Sequence, residues 1–111
     1  MTERIQKVNE LIKRELSRII LEEINFPKGV LVTIIRVEAA PNLYSAKVYI
    51  SVLPEKETKD AFVMLKNSIY NLQQILNKRL RMRPIPRIEF LQEKQIQKIE
   101  KIEEILDSIK K

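Results

Sequence analysis

The stretch that decides the fold is Tyr44-Ser45-Ala46-Lys47-Val48-Tyr49-Ile50-Ser51-Val52-Leu53, in which apolar and polar side chains alternate. Successive side chains of a β-strand point to opposite faces of the sheet. One face would carry Ala46, Val48, Ile50 and Val52, and the other Ser45, Lys47, Tyr49 and Ser51. We therefore predict a half-buried strand with one face on a core and the other in water.

The residues before this strand predict a second strand and a helix. The β-branched run from Val30 to Ala40 indicates a strand, and the short turn at Pro41-Asn42 makes the two strands antiparallel. Asn25-Phe26-Pro27-Lys28-Gly29 ends the preceding helix, because proline disfavours helix at the residue before it and Gly29 permits a positive-φ turn. That helix covers residues 3–24, with apolar side chains at three- and four-residue spacing: Ile5, Val8, Ile12, Leu16 and Ile19.

The residues after it predict a helix, a strand and a last helix. The second helix starts at Thr58 and reaches about residue 82, with an apolar stripe of Phe62, Leu65, Ile69, Leu72, Leu76 and Leu80. Pro84 and Pro86 prevent its continuation. A short strand follows at residues 88–91, and residues 94–110 form a third amphipathic helix with Ile96, Ile99, Ile102, Ile105, Leu106 and Ile109. The order α-β-β-α-β-α predicts an α+β fold with helices on one face of a three-stranded sheet.

The composition argues against an enzyme. The chain has no Cys and no His, so the thiol nucleophile, the imidazole base and the common zinc ligands are missing together. It has no Gly-rich phosphate loop and no nucleophile–base pair. Glu38 and Glu89 are the nearest approach to a carboxylate pair across the sheet, although exposed strand acids are the ordinary explanation. We expect no catalytic residue, metal site or cofactor.

The N-terminal residues carry no signal-peptide apolar run, and no stretch has the roughly 18 apolar residues that a membrane span needs. We therefore expect a soluble cytoplasmic protein with no membrane partner.

The positive charge is concentrated in one place. The net charge is +6, yet residues 1–24 and residues 93–111 each carry five cations and five acids. The ten residues from 78 to 87 hold five cations and no acid: Lys78, Arg79, Arg81, Arg83 and Arg87. Compensation of a helix C-terminus accounts for the first two, but not for those at and beyond the prolines. We interpret the run as a phosphate-binding site, in which an extended 81–87 segment turns Arg81, Arg83 and Arg87 to one side.

Two further groups are weaker candidates for binding a polyanion. Arg4, Lys7, Arg14 and Arg18 fall within about 80° on the first helix, where ordinary helix solvation is the slightly preferred explanation. Lys47 and Tyr49, on the wet face of the central strand, would add a charge and a stacking ring. For Tyr49, packing against a helix or at a sheet edge is the favoured alternative.

Two segments resemble the ribosome-binding factor A family, and the resemblance covers essentially residues 3–92. Residues 42–51 look like the family's Asp-Leu-x-x-Ala-Lys-Val-Tyr-Val-Ser segment, and residues 80–90 like its Leu-Arg-x-x-Pro-x-Leu-x-Phe segment. The first strand also matches, and Phe26-Pro27-Lys28 stands where the family usually has Asp-Pro-Arg. The chain departs from the family at its Ala-x-Gly helical kink, which here reads Ser68-Ile69-Tyr70.

The resemblance implies a single type II KH-like domain over residues 1–92, followed by a C-terminal amphipathic helix over 93–111 that packs on the domain or extends it. It also implies a monomeric assembly factor that binds the small ribosomal subunit and its 16S-type rRNA during late maturation and rRNA processing. Such a factor docks between head and body near the decoding region, acts on the immature 5′ end and 3′ minor region of the rRNA, and leaves with the help of an assembly GTPase.

Two alternatives stay open. The chain could be a KH-like RNA-binding protein outside ribosome assembly, in which case it would bind short single strands as well as a folded particle. It could also be an interaction module that dimerises through the Ile-rich C-terminal helix, which a concentration-dependent mass would reveal.

Overall fold

The computed structural model describes residues 3–93, so the predicted helix over residues 94–110 lies outside the described residues. Five main elements follow one another: helix α1 (Glu3–Glu23), strand β1 (Leu31–Ala39), strand β2 (Ser45–Leu53), helix α2 (Thr58–Arg79) and strand β3 (Arg87–Gln92). A single 3₁₀ turn, Glu55–Glu57, precedes α2. Within residues 3–93, the order and type of the predicted elements are confirmed.

The three strands form one mixed sheet in the order β1-β2-β3. β1 and β2 are antiparallel, as predicted from the short turn between them. β3 pairs with β2 in the parallel direction, with Ala46 opposite Ile88 and Val48 opposite Phe90. A parallel partner requires a crossover, which α2 provides. β2 is thus the central strand, and its residues have neighbours on both sides.

The core lies between the two helices and one face of the sheet. α1 contributes Val8, Ile12, Leu16, Ile19 and Ile20, and α2 contributes Ala61, Leu65, Leu72 and Leu76. The sheet contributes Ile34, Val37, Ile88, Phe90 and the predicted apolar face of β2, which is buried throughout. The opposite face of the sheet, hereafter the open face, carries the polar residues of β2. The alternation of β2 therefore determined which face the helices cover.

Two turns use left-handed backbone. Gly29 has φ +86° between α1 and β1, at the position where a positive-φ turn was predicted. Leu43, in the turn between β1 and β2, has φ +62° although it is not glycine. The amide of Leu43 donates to the carbonyl of Ala40 at 2.8 Å, and the amide of Tyr44 donates to Asn42 Oδ1 at 3.0 Å. These bonds and the burial of the Leu43 side chain hold this conformation.

Helix α2 ends at Arg79, three residues before the end predicted from its apolar stripe. Leu80 still donates its amide to the carbonyl of Leu76 at 3.0 Å, but its own backbone is extended. The extended backbone allows Leu80 to remain buried while the chain leaves the helix. Residues 68–70, which stand where the resembled family has its kink, lie within the continuous helix α2.

Candidate nucleic-acid interface

The segment between α2 and β3, residues 80–86, is held down by its apolar side chains and is hereafter called the basic loop. Leu80 and Pro86 are buried, and Met82 and Ile85 pack against the core. The cations between and after them, Arg81, Arg83 and Arg87, are all exposed. Burying the apolar residues thus forces the guanidinium groups into solvent. The backbone bends at residues 83 and 84, so the segment does not alternate regularly as an extended strand would. That Arg81, Arg83 and Arg87 point to the same side therefore stays a prediction.

Gln73 of α2 fastens the end of the basic loop. Its Nε2 donates to the carbonyl of Pro86 at 3.1 Å and to Oδ1 of Asn77 at 3.0 Å. Its Oε1 accepts the amide N–H of Ile88 at 2.9 Å. The carboxamide therefore bonds to backbone groups on the outer edge of β3, as a neighbouring strand would. No feature of the sequence pattern singled out Gln73, because its two partners outside α2 are backbone groups.

The basic loop also contacts the first half of α1. Met82 lines a shallow depression together with Glu3, Arg4, Lys7 and Leu11 of α1. Arg4 and Lys7 are exposed. The structure therefore brings the first two cations of the α1 face beside Met82 of the basic loop, together with the carboxylate of Glu3, although more than 70 residues separate the two segments in the chain.

The other predicted cations have acidic neighbours or stand apart. Arg14 and Arg18 lie 3.8 and 3.7 Å from the carboxylate of Glu15, in exposed pairs of the kind that contribute little stability. Arg79 donates to Glu22 at 2.8 Å and so links the ends of α2 and α1. Lys78 is exposed. From the sequence, Arg79 was interpreted as compensating the partial charge at the end of its helix. In the structure it forms an ion pair with the other helix.

Lys47 lies on the open face between two acids. In the register of the sheet it stands opposite Glu38 of β1 and Glu89 of β3. Glu38 and Glu89 form no carboxylate pair, because the central strand separates them and places a cation between them. Both are exposed strand acids, which is the explanation that the sequence favoured. Arg87 stands opposite Ser45, so it is a diagonal neighbour of Lys47 across the two strands.

Tyr49 has a partner that the sequence did not suggest. The guanidinium carbon of Arg36 lies 3.8 Å from the centroid of the Tyr49 ring. Arg36 also contacts the carboxylate of Glu38 at 3.3 Å and pairs with Glu93, whose side chain is only 3% exposed. The register of β1 against β2 shifts between Ile34 and Arg36, as at a β-bulge, and this shift puts Arg36 opposite Tyr49. A prediction that assumes strict alternation along the strand does not include such a shift.

The electrostatics of this cluster are those of a satisfied structural ion pair. Burial lowers the pKa of the Arg36 guanidinium. The hydrogen bonds that it donates to Glu93 and Glu38, and its attraction to their charges, outweigh burial and leave that pKa raised above its ordinary value. The part of the open face around Arg36 and Lys47 holds these two cations and three carboxylates, those of Glu38, Glu89 and Glu93. The centre of the open face is thus not a basic surface.

Other kinds of site find no support in the described part of the chain. Residues 3–93 contain no group of three or more acidic side chains placed to hold a metal ion. Within the same residues, neither helix has the length and apolar character to cross a membrane.

Comparison with known proteins gives a consistent result. A family model described as ribosome-binding factor A matches residues 4–106. A ribosome-binding factor A from Chlorobium phaeobacteroides is 35% identical over 115 aligned positions, which span all of this chain and 97% of that protein. One from Nitrosococcus oceani is 33% identical over 105 positions, covering 94% of this chain and 83% of the relative.

Solved structures agree. The crystal structure of ribosome-binding factor A from Thermus thermophilus superposes with a TM-score of 0.69 at 28% identity, over 79% of this chain and 93% of that one. A homology model of the Thermus thermophilus protein, fitted into a cryo-EM map of its complex with the 30S subunit, gives a TM-score of 0.62 at 26% identity, over 78% of this chain and 91% of the other.

Proposed function

This chain belongs to the ribosome-binding factor A family, and from that premise we propose that it is an assembly factor that binds the small ribosomal subunit. The observation that carries the proposal is the fold shared with a relative described in complex with the 30S subunit. The exposed arginines of the basic loop also support the proposal, because they can bind the phosphate groups along the backbone of ribosomal RNA.

The contact with RNA is proposed to centre on Arg81, Arg83 and Arg87. Their side chains are exposed, and guanidinium groups bind phosphate oxygens two at a time. Arg4 and Lys7 extend this surface across Met82. Arg14, Arg18, Arg79 and Lys47 contribute less, because acidic side chains lie beside them. Tyr49 is not part of the proposed contact, because Arg36 lies over its ring.

The finer role follows the family. We propose that the protein acts in late maturation and rRNA processing without catalysing a reaction itself, that it works as a monomer in the cytoplasm, and that an assembly GTPase assists its release. The division into a KH-like domain over residues 1–92 and a C-terminal segment over 93–111 is part of the same proposal.

Co-sedimentation tests this function. Purified protein is centrifuged with mature small subunits, immature small subunits and large subunits, each at two salt concentrations. We expect binding to small-subunit particles, weaker at the higher salt concentration, and no comparable binding to large subunits. Equal binding to all three particles would contradict the assembly role and favour a general RNA-binding protein.

A mass measurement by light scattering over a range of protein concentrations tests the monomer. A constant mass of one chain is the expected result. A mass that doubles with concentration would support dimerisation, for which the isoleucines of residues 94–110 would be the first region to alter.

A further inference from the structure

The most exposed aromatic side chain in the described part of the chain lies in the middle of α2. Tyr70 is 76% exposed, whereas Tyr49 is covered by Arg36. A ring so exposed contributes little to the stability of the core, and its π-face is open to solvent. Single exposed aromatics are common on proteins, so exposure alone assigns no role.

The charge around Tyr70 provides the second observation. From Ala61 to Ile88 the chain has no Asp or Glu, while it has six cations: Lys66, Lys78, Arg79, Arg81, Arg83 and Arg87. Lys66 precedes Tyr70 by one helical turn and is exposed, as are Val63 and Gln74 on the same side of α2. Two carboxylates of α1 reach this helix from its inner flank, because Asn71 donates to Glu23 at 3.1 Å and Arg79 pairs with Glu22 at 2.8 Å. The ring therefore stands on a side of α2 where cations outnumber acids.

Distance connects this region to the basic loop. Nine residues separate Tyr70 from Arg79, the last residue of α2. At about 1.5 Å per residue, that places Tyr70 roughly 14 Å along the helix from the start of the loop. A short stretch of RNA backbone held by Arg81 and Arg83 spans such a distance, so one of its bases can reach the ring.

We propose that Tyr70 is a stacking site for an unpaired base of small-subunit rRNA, positioned by phosphates bound at the basic loop. Base–aromatic stacking is tolerant of sequence and requires an exposed ring beside cations that hold the backbone, which is the arrangement around Tyr70. A protein surface would be a different partner for the same ring. The surplus of cations over acids around α2 and the basic loop favours RNA, because every nucleotide of an RNA strand carries a negative charge. This inference rests on the proposed function.

Affinity for small subunits tests the stacking role. We expect Tyr70→Ala to bind roughly 5- to 100-fold more weakly than the wild-type protein, the range that loss of one stacked base gives. Tyr70→Phe keeps the ring and should bind nearly as well as wild type. Leu31→Ala is the control, because Leu31 is an exposed apolar side chain (59%) opposite Leu53, at the other end of β2 from the pair of Ser45 and Arg87. All three variants should have the thermal stability of the wild-type protein.

Fluorescence identifies the partner of the ring directly. The chain has no Trp, so Tyr70→Trp creates a single indole that reports on its own environment. Titration with small subunits should quench this indole because a nucleobase stacks on it, and titration with large subunits should not. Leu31→Trp should change little in the same titrations.

The outcomes separate the two proposals. Wild-type binding that Tyr70→Ala leaves unchanged would overturn the stacking role and leave the proposed function intact. A Tyr70→Trp variant that binds small subunits without quenching of its indole would also overturn it and point to a protein contact. Failure of the wild-type protein to bind small subunits would contradict the proposed function and this inference together.

Discussion

At the scale of single residues, the open face of the sheet shows that a cation near an aromatic ring need not belong to a binding site. Arg36 lies over Tyr49 and pairs with the nearly buried carboxylate of Glu93, so its charge is already compensated within the fold. Sequence alone indicated Tyr49 as a stacking candidate, because its position on the wet face followed from alternation. It could not indicate Arg36, because the bulge that brings Arg36 opposite Tyr49 has no signature in the pattern.

Arg36→Leu is expected to lower the free energy of unfolding by about 1–3 kcal/mol, because Glu93 loses the cation that offsets burial of its carboxylate. Denaturant titration measures this change. Small-subunit binding should stay near the wild-type level, because the surrounding acids already balance this charge. Glu38→Gln, which alters the more exposed partner, serves as the control and should change stability much less. Unchanged stability of Arg36→Leu would contradict the structural role of the pair.

Gly29→Ala is expected to destabilise the fold by about 1–2 kcal/mol. The backbone there has φ +86°, which an L-residue adopts only at a cost, although no atom lies within 4 Å of an added Cβ. The loss is therefore conformational and not steric. Thermal unfolding measures it, with Lys28→Ala as the neighbouring control that should leave stability unchanged. A Gly29→Ala variant as stable as the wild type would show that this turn has another accessible conformation.

At the scale of elements, the helices and strands were largely predictable, whereas the loop that carries the candidate site was only partly so. Alternation in β2 and the apolar stripes of α1 and α2 placed these elements within a few residues of their observed bounds. Exposure of Arg81, Arg83 and Arg87 followed from their charge. The path of residues 80–86 did not. It depends on how Met82 packs against the core, on the burial of Pro86, and on Gln73, which bonds to backbone groups at the junction with β3.

Gln73→Leu is expected to loosen the junction of the basic loop and β3. The carbonyl of Pro86 and the amide of Ile88 lose a partner in a partly buried position, at a cost of about 1–2 kcal/mol. Hydrogen exchange of the Ile88 amide should accelerate, and binding to small subunits should weaken because Arg87 is held less firmly. Gln74→Leu is the matched control for the exchange rate, since Gln74 is the next residue along α2 and is exposed. An unchanged exchange rate at Ile88 would contradict the fastening role of Gln73.

At the scale of the whole molecule, the fold leaves its largest surplus of positive charge at the basic loop. The open face mixes cations with carboxylates, and two arginines of α1 lie beside Glu15. Glu3 lies beside the cations at the start of α1, and α1 supplies carboxylates to Arg79 and Asn71 of α2. The sequence located the charge surplus, but only the tertiary structure shows that Arg4 and Lys7 lie beside Met82.

The measurement that tests this account most directly is the salt dependence of small-subunit binding for two triple variants of equal net charge. One variant replaces Arg81, Arg83 and Arg87 by Ala, and the control replaces Lys13, Lys28 and Lys56, so both fall from +6 to +3. For the arginine variant we expect a much lower affinity and a slope of log affinity against log salt that is shallower by about 2–3, with thermal stability nearly unchanged. The lysine variant should keep nearly the wild-type slope. Equal losses of affinity in both variants would show that binding depends on overall charge. An arginine variant with a large loss of thermal stability and unchanged affinity would show that the run is structural. Either result would contradict the account.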